Sequence, residues 1–221
     1  MKTAIINTLQ HSTNLIISPD ADGILSAEFL NRHNGSKVVG TYDKNILCLA
    51  DGIDPSECLF VDCDMNRSDY VSIGNHMRKL DDGMSSKSFN PNVHFEVSTY
   101  TDKFPYATAF LIADAIEVQT SEQDHIRMAY ADSTLRNMEN YSDNMRNWSN
   151  RMSHPSLKYI IDNSDIAKKA DDLFREQYPN QSFTSKRFGK KRYIEALNKA
   201  FEDLSMNFAP LTQGIKFLAD K

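Results

Sequence analysis

Two aspartates stand one residue apart after a short apolar run near the N-terminus. The run covers residues 15–17, and Asp20, Asp22 and Gly23 follow it. Two close carboxylates repel each other unless a cation offsets their charge. Hard divalent metals do this through oxygen ligands. The same residues also suit a solvated loop with a helix N-cap, because Asp before a helix complements the helix dipole.

Acidic and imidazole side chains recur further along the chain. The sequence E-C-L-F-V-D-C-D brings Asp62 and Asp64 to the end of a second apolar run. I-G-N-H-M then contains Asn75 and His76, and A-Y-A-D-S contains Asp132. Carboxylates that converge from several loops are typical of two-metal sites for phosphoryl transfer.

The elements that must position these residues alternate between strand and helix. This alternation predicts an α/β fold, with an open, doubly wound and mostly parallel sheet of about five strands, helices on both faces and a helical C-terminal extension. The predicted strands are residues 14–18, 37–42, 57–62 and 93–97, with 70–80 either helical or strand-like. The predicted helices are 24–33, 103–118, 121–135, 156–177 and 190–205.

Such a sheet binds ligands at the carboxyl ends of its strands, where the aspartates fall. We expect residues 1–135 to form the catalytic core. Residues 136–221 are expected to form a helical region packed on that core.

The composition is that of an ordinary globular protein. Of 221 residues, 40% are hydrophobic and 25% charged. No run approaches the roughly 18 apolar residues of a membrane span, so we expect no membrane partner, and the N-terminus reads poorly as a signal peptide. Cys48, Cys58 and Cys63 lack metal-type spacing, which predicts reduced core residues in a cytoplasmic protein.

Charge is unevenly distributed along the chain. The net charge is −5, but Asp and Glu outnumber Lys and Arg by 21 to 12 in residues 1–150. In residues 151–221 Lys and Arg lead by 13 to 9. An acidic half with a basic tail would suit a metal site beside an anionic substrate.

The densest basic cluster is S-K-R-F-G-K-K-R-Y at 185–193. Basic residues interleaved with aromatic ones can follow a phosphate backbone and stack bases. A solvated helix start is the alternative interpretation. The candidate substrate-binding residues here are Lys186, Arg187, Lys190, Lys191 and Arg192.

The order of these motifs resembles the DHH phosphoesterase superfamily, in particular its RecJ-like exonuclease branch. P-D-A-D-G-I-L-S-A at 19–27 looks like the first motif, F-V-D-C-D at 60–64 the second and A-Y-A-D-S at 129–133 the fourth. The resemblance implies two manganese or magnesium ions. Their ligands would be Asp20, Asp22, Asp62 and Asp132, and the catalytic residues would be Asp62, His76 and Asp132.

The third motif departs from the family pattern. G-N-H-M at 74–77 stands in place of Asp-His-His, and His76 falls on a histidine position in either register. Asp64 and Asn75 are candidates to contact the metal ligands rather than the ions, and a solvated Asp64 is the alternative. F-N-P-N at 89–92 is similar to the family's next stretch, so Asn90 and Asn92 are expected at the substrate.

The resemblance implies a metal-dependent phosphodiester hydrolase, a nuclease for single-stranded nucleic acid. The tail is shorter than the family's accessory domain, and a homo-oligomer or a partner protein would supply the missing surface. Two alternatives stay open. One is a phosphodiesterase for a cyclic dinucleotide or a very short oligonucleotide. The other is a non-catalytic module that binds nucleotides or nucleic acid.

Overall fold

An open six-stranded sheet organises the part of the chain that the structure describes. The computed structural model describes residues 1–78, 83–163, 165–166, 169 and 190–216. The strands are β1 (Asn14–Ile17), β2 (Lys37–Tyr42), β3 (Ile46–Ala50), β4 (Leu59–Val61), β5 (Val71–Ile73) and β6 (Leu211–Lys216). Their order is β5-β4-β1-β2-β3-β6. The first four in this order are parallel, whereas β3 is antiparallel to both neighbours.

Helices lie around this sheet. They are α1 (Lys2–Leu9), α2 (Ala21–Asn34), α3 (Pro91–His94), α4 (Thr108–Ile116), α5 (Glu122–Tyr130), α6 (Thr134–Asn140), α7 (Ser142–Ser149), α8 (Pro155–Asp162) and α9 (Lys190–Asp203). The predicted α/β class and the mostly parallel open sheet are therefore confirmed. No helix among the described residues is long and apolar enough to cross a membrane.

Strand β1 lies inside the sheet and is buried on both faces. Leu15 and Ile17 belong to one apolar cluster, which includes Phe29 of α2. Ile16 points to the opposite face and shares a second cluster with Phe60 of β4. A central parallel strand covered on both faces needs continuous apolar residues, and this explains the run at 15–17.

Helix α2 begins earlier than predicted because Asp20 caps it. The Asp20 carboxylate accepts a hydrogen bond from the Gly23 N–H, and Gly35 ends the helix in a left-handed conformation with φ 76°. The predicted start was residue 24, whereas the helix begins at Ala21. Asp22 consequently lies in the first turn of α2, facing the interior.

The strand predicted at 93–97 is wrong, because the segment opens with the helix α3. Asn90 Oδ1 accepts from Asn92 N at 2.8 Å and from Val93 N at 3.4 Å, and Pro91 occupies the first helical turn. A side-chain cap followed by proline favours a helix start over an extended strand. The alternation in V-H-F-E-V was therefore a misleading signal.

Two strands of the sheet, β3 and β6, were not predicted from the sequence. β3 pairs with β2 through a short turn, and β6 pairs with β3 from the far end of the chain. Residues 136–216 thus contribute a strand to the sheet as well as helices. The sequence L-T-Q-G-I-K of β6 has only two buried positions, so its extended form depends on the partner strand.

The predicted helices 103–118 and 121–135 are shorter in the structure. Residues 103–107 precede α4, and Thr108 is its first helical residue. The second helix is interrupted between α5 and α6 by Asp132, whose φ of 47° and ψ of 38° are left-handed. The start of α4 and the break between α5 and α6 both lie at the candidate site and position its groups.

Candidate functional site

The carboxyl ends of four neighbouring strands meet at one edge of the sheet. In the parallel register Ile17 of β1 stands beside Val61 of β4 and Thr41 of β2, and Val61 stands beside Ile73 of β5. The residues that follow these strands therefore converge. This edge brings together the acidic segments at 18–22 and 62–64 and the variant motif at 74–77.

Asp20 is a helix cap and also part of an acidic cluster. Its Oδ1 accepts from Gly23 N at 3.1 Å and from Ser18 Oγ at 2.8 Å. The residue is exposed. The cap considered from the sequence is therefore present, and the second carboxylate oxygen of Asp20 has no hydrogen-bond partner among the described residues.

Asp22 is almost fully buried, with 2% of its surface exposed. Its Oδ2 accepts from Thr108 N at 2.7 Å and its Oδ1 from Ala109 N at 2.9 Å. These N–H groups open α4 and have no partner within that helix. Burial raises the pKa of Asp22 to about 7, and the negative charges of Asp132 and Asp20 add to this effect.

Asp62 is buried at the centre of the cluster. Its Oδ2 accepts from Ser18 Oγ at 2.6 Å, and its Oδ1 from Thr108 Oγ1 at 2.9 Å. Burial raises the pKa of Asp62 well above its usual range, with further contributions from the charges of Asp22 and Asp20. The Asp62 backbone has a φ of 55°, which is left-handed. Strained backbone of this kind is concentrated at functional sites.

The Ser18 hydroxyl stands between two carboxylates. It is 2.8 Å from Asp20 Oδ1 and 2.6 Å from Asp62 Oδ2. A hydroxyl has one hydrogen to donate, so it can satisfy only one of these oxygens fully at a time. Protonation of Asp62, in keeping with its raised pKa, lets both contacts be hydrogen bonds.

Asp132 reaches the cluster from the break between α5 and α6. Its Oδ2 accepts from Asn75 Nδ2 at 2.7 Å. Its charge contributes to raising the pKa values of Asp22 and Asp62. Of the sequence-predicted ligands, the structure thus brings Asp20, Asp22, Asp62 and Asp132 into one electrostatic group.

Asn75 is 2% exposed and has a buried oxygen without a hydrogen-bond partner. Its Nδ2 donates to Tyr106 O at 2.8 Å as well as to Asp132. Both neighbours are acceptors, so the amide nitrogen must face them and Oδ1 must point away. An orphaned buried acceptor calls for a ligand, an ion or water to satisfy it.

His76 is turned towards Asp64 rather than towards the four carboxylates. Its backbone N–H and its Nδ1 lie 3.0 and 2.9 Å from Asp64 Oδ2. Burial lowers the pKa of His76, but the hydrogen bond and the charge of Asp64 outweigh burial and the pKa is raised. Asp64 thus orients the ring, and the sequence-based placement of Asp64 beside a site residue fits this contact.

The Asp64 carboxylate leaves no space for a side chain at position 74, where the third motif begins with glycine. A Cβ added at Gly74 would collide with the Asp64 carboxylate. Asp64 Oδ1 also accepts from Asn90 Nδ2 at 2.6 Å. The motif therefore leaves room for Asp64 where a larger residue would clash.

The side chains of Asn90 and Asn92 connect the loops at this edge by hydrogen bonds. Asn90 Nδ2 also donates to His76 O at 2.8 Å, and its Oδ1 caps α3. Asn92 Nδ2 donates to Asn75 O at 2.7 Å, and its Oδ1 accepts from Phe104 N at 2.6 Å. Both side chains, predicted to contact substrate, are buried and make protein contacts that fix the loops around His76 and Asn75.

The basic tail reaches the same edge at the start of α9. Lys186 and Arg187 lie outside the described residues, as does the side chain of Lys190, whereas Lys191 and Arg192 are exposed. The next residue is Tyr193, which is fully buried.

Tyr193 ties the start of α9 to the acidic edge. Burial raises the pKa of its hydroxyl, and the charge of Asp43, a hydrogen bond to Asp43 and the charge of Asp20 contribute. Lys191 and Arg192 directly precede this anchored residue in the chain.

Two residues of the site were missed in the sequence. Ser18 directly precedes the first motif, and its position at a strand end was the available signal. Thr108 carried no signal, since it lies 46 residues from Asp62 along the chain. Its role arises from the packing of α4 against α2.

The donor set fits a hard divalent cation in chemical type. Carboxylate and amide oxygens are the preferred ligands of Mg²⁺ and Mn²⁺. Within the described ranges, no three His, Cys, Asp or Glu side chains stand together as a formed metal site. Asp22 and Asp62 are instead bonded to Thr108, Ala109 and Ser18. Loading therefore requires rotation of these carboxylates away from their present hydrogen bonds.

Comparisons of the chain with family models, with curated proteins and with solved structures find no match. The site's chemistry consequently rests on its own residues.

Proposed function

We propose that the protein is a divalent-metal-dependent phosphodiester hydrolase that acts on single-stranded nucleic acid. The observation that carries this proposal is the convergence of four aspartates, Asp20, Asp22, Asp62 and Asp132, in which burial and the charges of the neighbouring carboxylates raise the pKa values of Asp22 and Asp62. Mutual repulsion of this kind costs stability unless a cation offsets it. The orphaned oxygen of Asn75 supports the same conclusion.

The four aspartates would hold the cation, Mn²⁺ or Mg²⁺, and the family resemblance implies two ions. A bound ion would supply Lewis acidity towards a phosphoryl oxygen and would acidify water at the site. Ser18 and Thr108 orient Asp62, and the α4 backbone fixes Asp22. Asp64 orients His76, whose Nε2 is available to a phosphate oxygen.

The choice of substrate rests on the DHH resemblance and on the charged tail. The RecJ-like motif order favours a single strand over a mononucleotide. Lys191 and Arg192 are exposed and directly precede Tyr193, which contacts Asp43 at this edge, so these two cations would neutralise backbone phosphates. Cys48, Cys58 and Cys63 are free and buried, which supports the expectation of a cytoplasmic enzyme.

The test is release of product from a labelled single strand in the presence of Mn²⁺. The wild type should degrade the strand only with metal, and Asp62→Asn should reduce turnover by about 10² or more, a typical loss for removing one group that stabilises the transition state. The asparagine is nearly isosteric and tolerates a left-handed backbone. Equal product from wild type and variant would identify contamination and reject the proposal.

Chain-length dependence separates the nuclease from a small-ligand phosphodiesterase. A nuclease should turn over a ten-nucleotide strand at least as well as a dinucleotide, because additional phosphates add contacts. Preference for a cyclic dinucleotide or a dinucleotide would assign the alternative substrate to the same site.

One observation favours a non-catalytic module instead. Asn75 donates to Asp132, and His76 is paired with Asp64, so the variant third motif adds neither an acid nor an imidazole to the cluster. Calorimetric titration with Mn²⁺ distinguishes the two, and it counts the ions. The hydrolase requires micromolar binding that Asp62→Asn weakens, whereas a module that kept only the fold would show none.

A further inference from the structure

We propose that Lys44 binds a backbone phosphate of the substrate next to the aspartate cluster. This inference deepens the proposed function and rests on it for the identity of the ligand. Lys44 lies in the turn between β2 and β3, in a part of the sequence separate from the basic cluster at 185–193. It would supply a fixed cation on the side of the site opposite to the variant motif.

The register of the sheet places this turn at the functional edge. Thr41 of β2 stands beside Ile17 of β1, so the residues after Tyr42 lie next to those after Ile17. Cys63, the neighbour of Asp62, has its Sγ 3.9 Å from Tyr42 O. Lys44 therefore follows directly on a segment that contacts the acidic loop.

The charge of Lys44 reaches the centre of this edge. It lowers the pKa of His76 and that of Cys63, although other groups dominate both values. The charge of Lys44 thus acts on one residue after β4 and on one residue after β5. The proposal itself stands on the strand register and on the contact between Cys63 and Tyr42.

The Lys44 ammonium is available for a ligand. The side chain is exposed, and no hydrogen bond or ion pair to it is found within the part of the chain that the structure describes. Arg32 and Arg127, in contrast, pair with Asp124 and Glu28.

The backbone at Lys44 is left-handed, with a φ of 66°. Asp43 Oδ1 holds the turn by accepting from Asn45 N at 3.0 Å and from Ile46 N at 2.7 Å. Glycine or asparagine would adopt this conformation at lower cost than lysine. A lysine held in an unfavourable conformation beside an acidic site is consistent with a chemical role for its ammonium.

Electrostatic repulsion between the aspartates and the substrate explains why a cation is needed at this edge. Four carboxylates repel a polyanionic strand, and a bound metal offsets only part of that charge. An ammonium at the rim attracts the next phosphate and holds the strand against the cluster. Lys44 would therefore contribute to substrate affinity more than to the chemical step.

Salt dependence of binding provides the decisive measurement. The probe is a fluorescein-labelled thymidine pentamer with hydrolysis-resistant phosphorothioate linkages, titrated by anisotropy with saturating Mn²⁺. For single strands each neutralised phosphate contributes about 0.7 to the slope of log K against log salt concentration. Lys44→Asn should reduce the slope by about 0.7 and weaken binding by about tenfold, as for one lost charge-assisted hydrogen bond.

Two further variants control this experiment. Lys44→Arg keeps the charge and should retain the wild-type slope. Lys37→Asn removes an exposed lysine at the opposite end of β2, on the order of 20 Å away, and should leave the slope unchanged. Lys44→Asn suits the left-handed turn, so its melting temperature should equal or exceed that of the wild type.

The outcomes separate this inference from the proposed hydrolase. If the wild type degrades the unmodified strand but Lys44→Asn has the same salt slope as Lys37→Asn, the role of Lys44 is rejected and the hydrolase stands. A second outcome is that the wild type binds the probe and Lys44→Asn lowers the salt slope as predicted, but the wild type releases no product from the unmodified strand. In that case the hydrolase fails and Lys44 remains a phosphate contact. If the wild type does not bind the probe at all, the role of Lys44 as a phosphate contact is rejected.

Discussion

Asp62 combines three features that each cost stability. It is 3% exposed, its backbone is left-handed and its pKa is raised chiefly by burial and then by the charges of Asp22 and Asp20. Each of these features costs stability, and none of them improves packing. They are accounted for together if the residue serves a ligand that the folded chain binds.

At the same scale, Gly74 should be intolerant of any side chain. Gly74→Ala would place its Cβ against the Asp64 carboxylate, so we expect a loss of about 1–3 kcal/mol in the free energy of unfolding, the usual cost of overpacking. Urea denaturation measures it. The double variant Gly74→Ala with Asp64→Ala should lose less than the sum of the single variants, because the clash disappears. Strict additivity would contradict the contact.

At the scale of elements, the site depends on how helices begin. Asp20 caps its own helix, whereas Asp22 caps a different one by accepting from Thr108 N and Ala109 N of α4. The carboxylate of Asp22 thus joins α2 to α4 and is buried between them. Burial at this junction, together with the charges of Asp132 and Asp20, raises the pKa of Asp22 to about 7, although the two backbone hydrogen bonds lower it.

This junction makes the metal-free protein less stable as pH rises. A folded-state pKa of about 7 lies above the usual 3.8, so between these values the folded chain binds more protons than the unfolded chain. Stability therefore falls between about pH 4 and pH 7, by about 1.4 kcal/mol per pH unit for each such proton. Urea unfolding in EDTA at several pH values measures the slope.

Asp22→Asn provides the control for this slope. The variant should be less stable overall, because its NH₂ group cannot accept from the α4 backbone. It should nevertheless show a shallower decline with pH, since one titrating group is lost. An unchanged slope would assign the pH dependence to other residues.

At the scale of the whole molecule, charged groups from several elements lie at one edge of the sheet, and no ion pair among the described residues neutralises the four aspartates there. The ends of β1 and β4 supply aspartates, β5 supplies Asn75 and His76, and the turn after β2 supplies Lys44. The break after α5 adds Asp132, and the start of α9 adds Lys191 and Arg192. A single ligand combining a divalent cation with a polyanion would match this distribution.

Metal binding should therefore stabilise the folded chain in a pH-dependent manner. Mn²⁺ binds deprotonated carboxylates, so it should raise the melting temperature more at pH 7.5 than at pH 5.5. Thermal denaturation with Mn²⁺ and with EDTA measures both shifts. Asp62→Asn should melt at the wild-type temperature or above it in EDTA and should lose most of the Mn²⁺ response. A response retained by this variant would place the ion elsewhere.

The sequence by itself predicted strands at 14–18, 37–42 and 57–62, the α/β class and the presence of acids at two strand ends. The structure has these strands at Asn14–Ile17, Lys37–Tyr42 and Leu59–Val61. These follow from local patterns, since buried parallel strands require continuous apolar residues and parallel strands align their carboxyl ends. It also left open whether Asp20 is a cap, and the structure shows that it is one.

Only the tertiary structure decided which groups share the edge and in what state. The contacts of Thr108 with Asp62, Asn75 with Asp132 and Asp64 with His76 join residues that are 46, 57 and 12 positions apart. Burial, which dominates the pKa values of Asp22 and Asp62, is likewise a property of packing. Such couplings depend on distance in space, because hydrogen bonds and charge repulsion act between neighbours in the fold rather than along the chain.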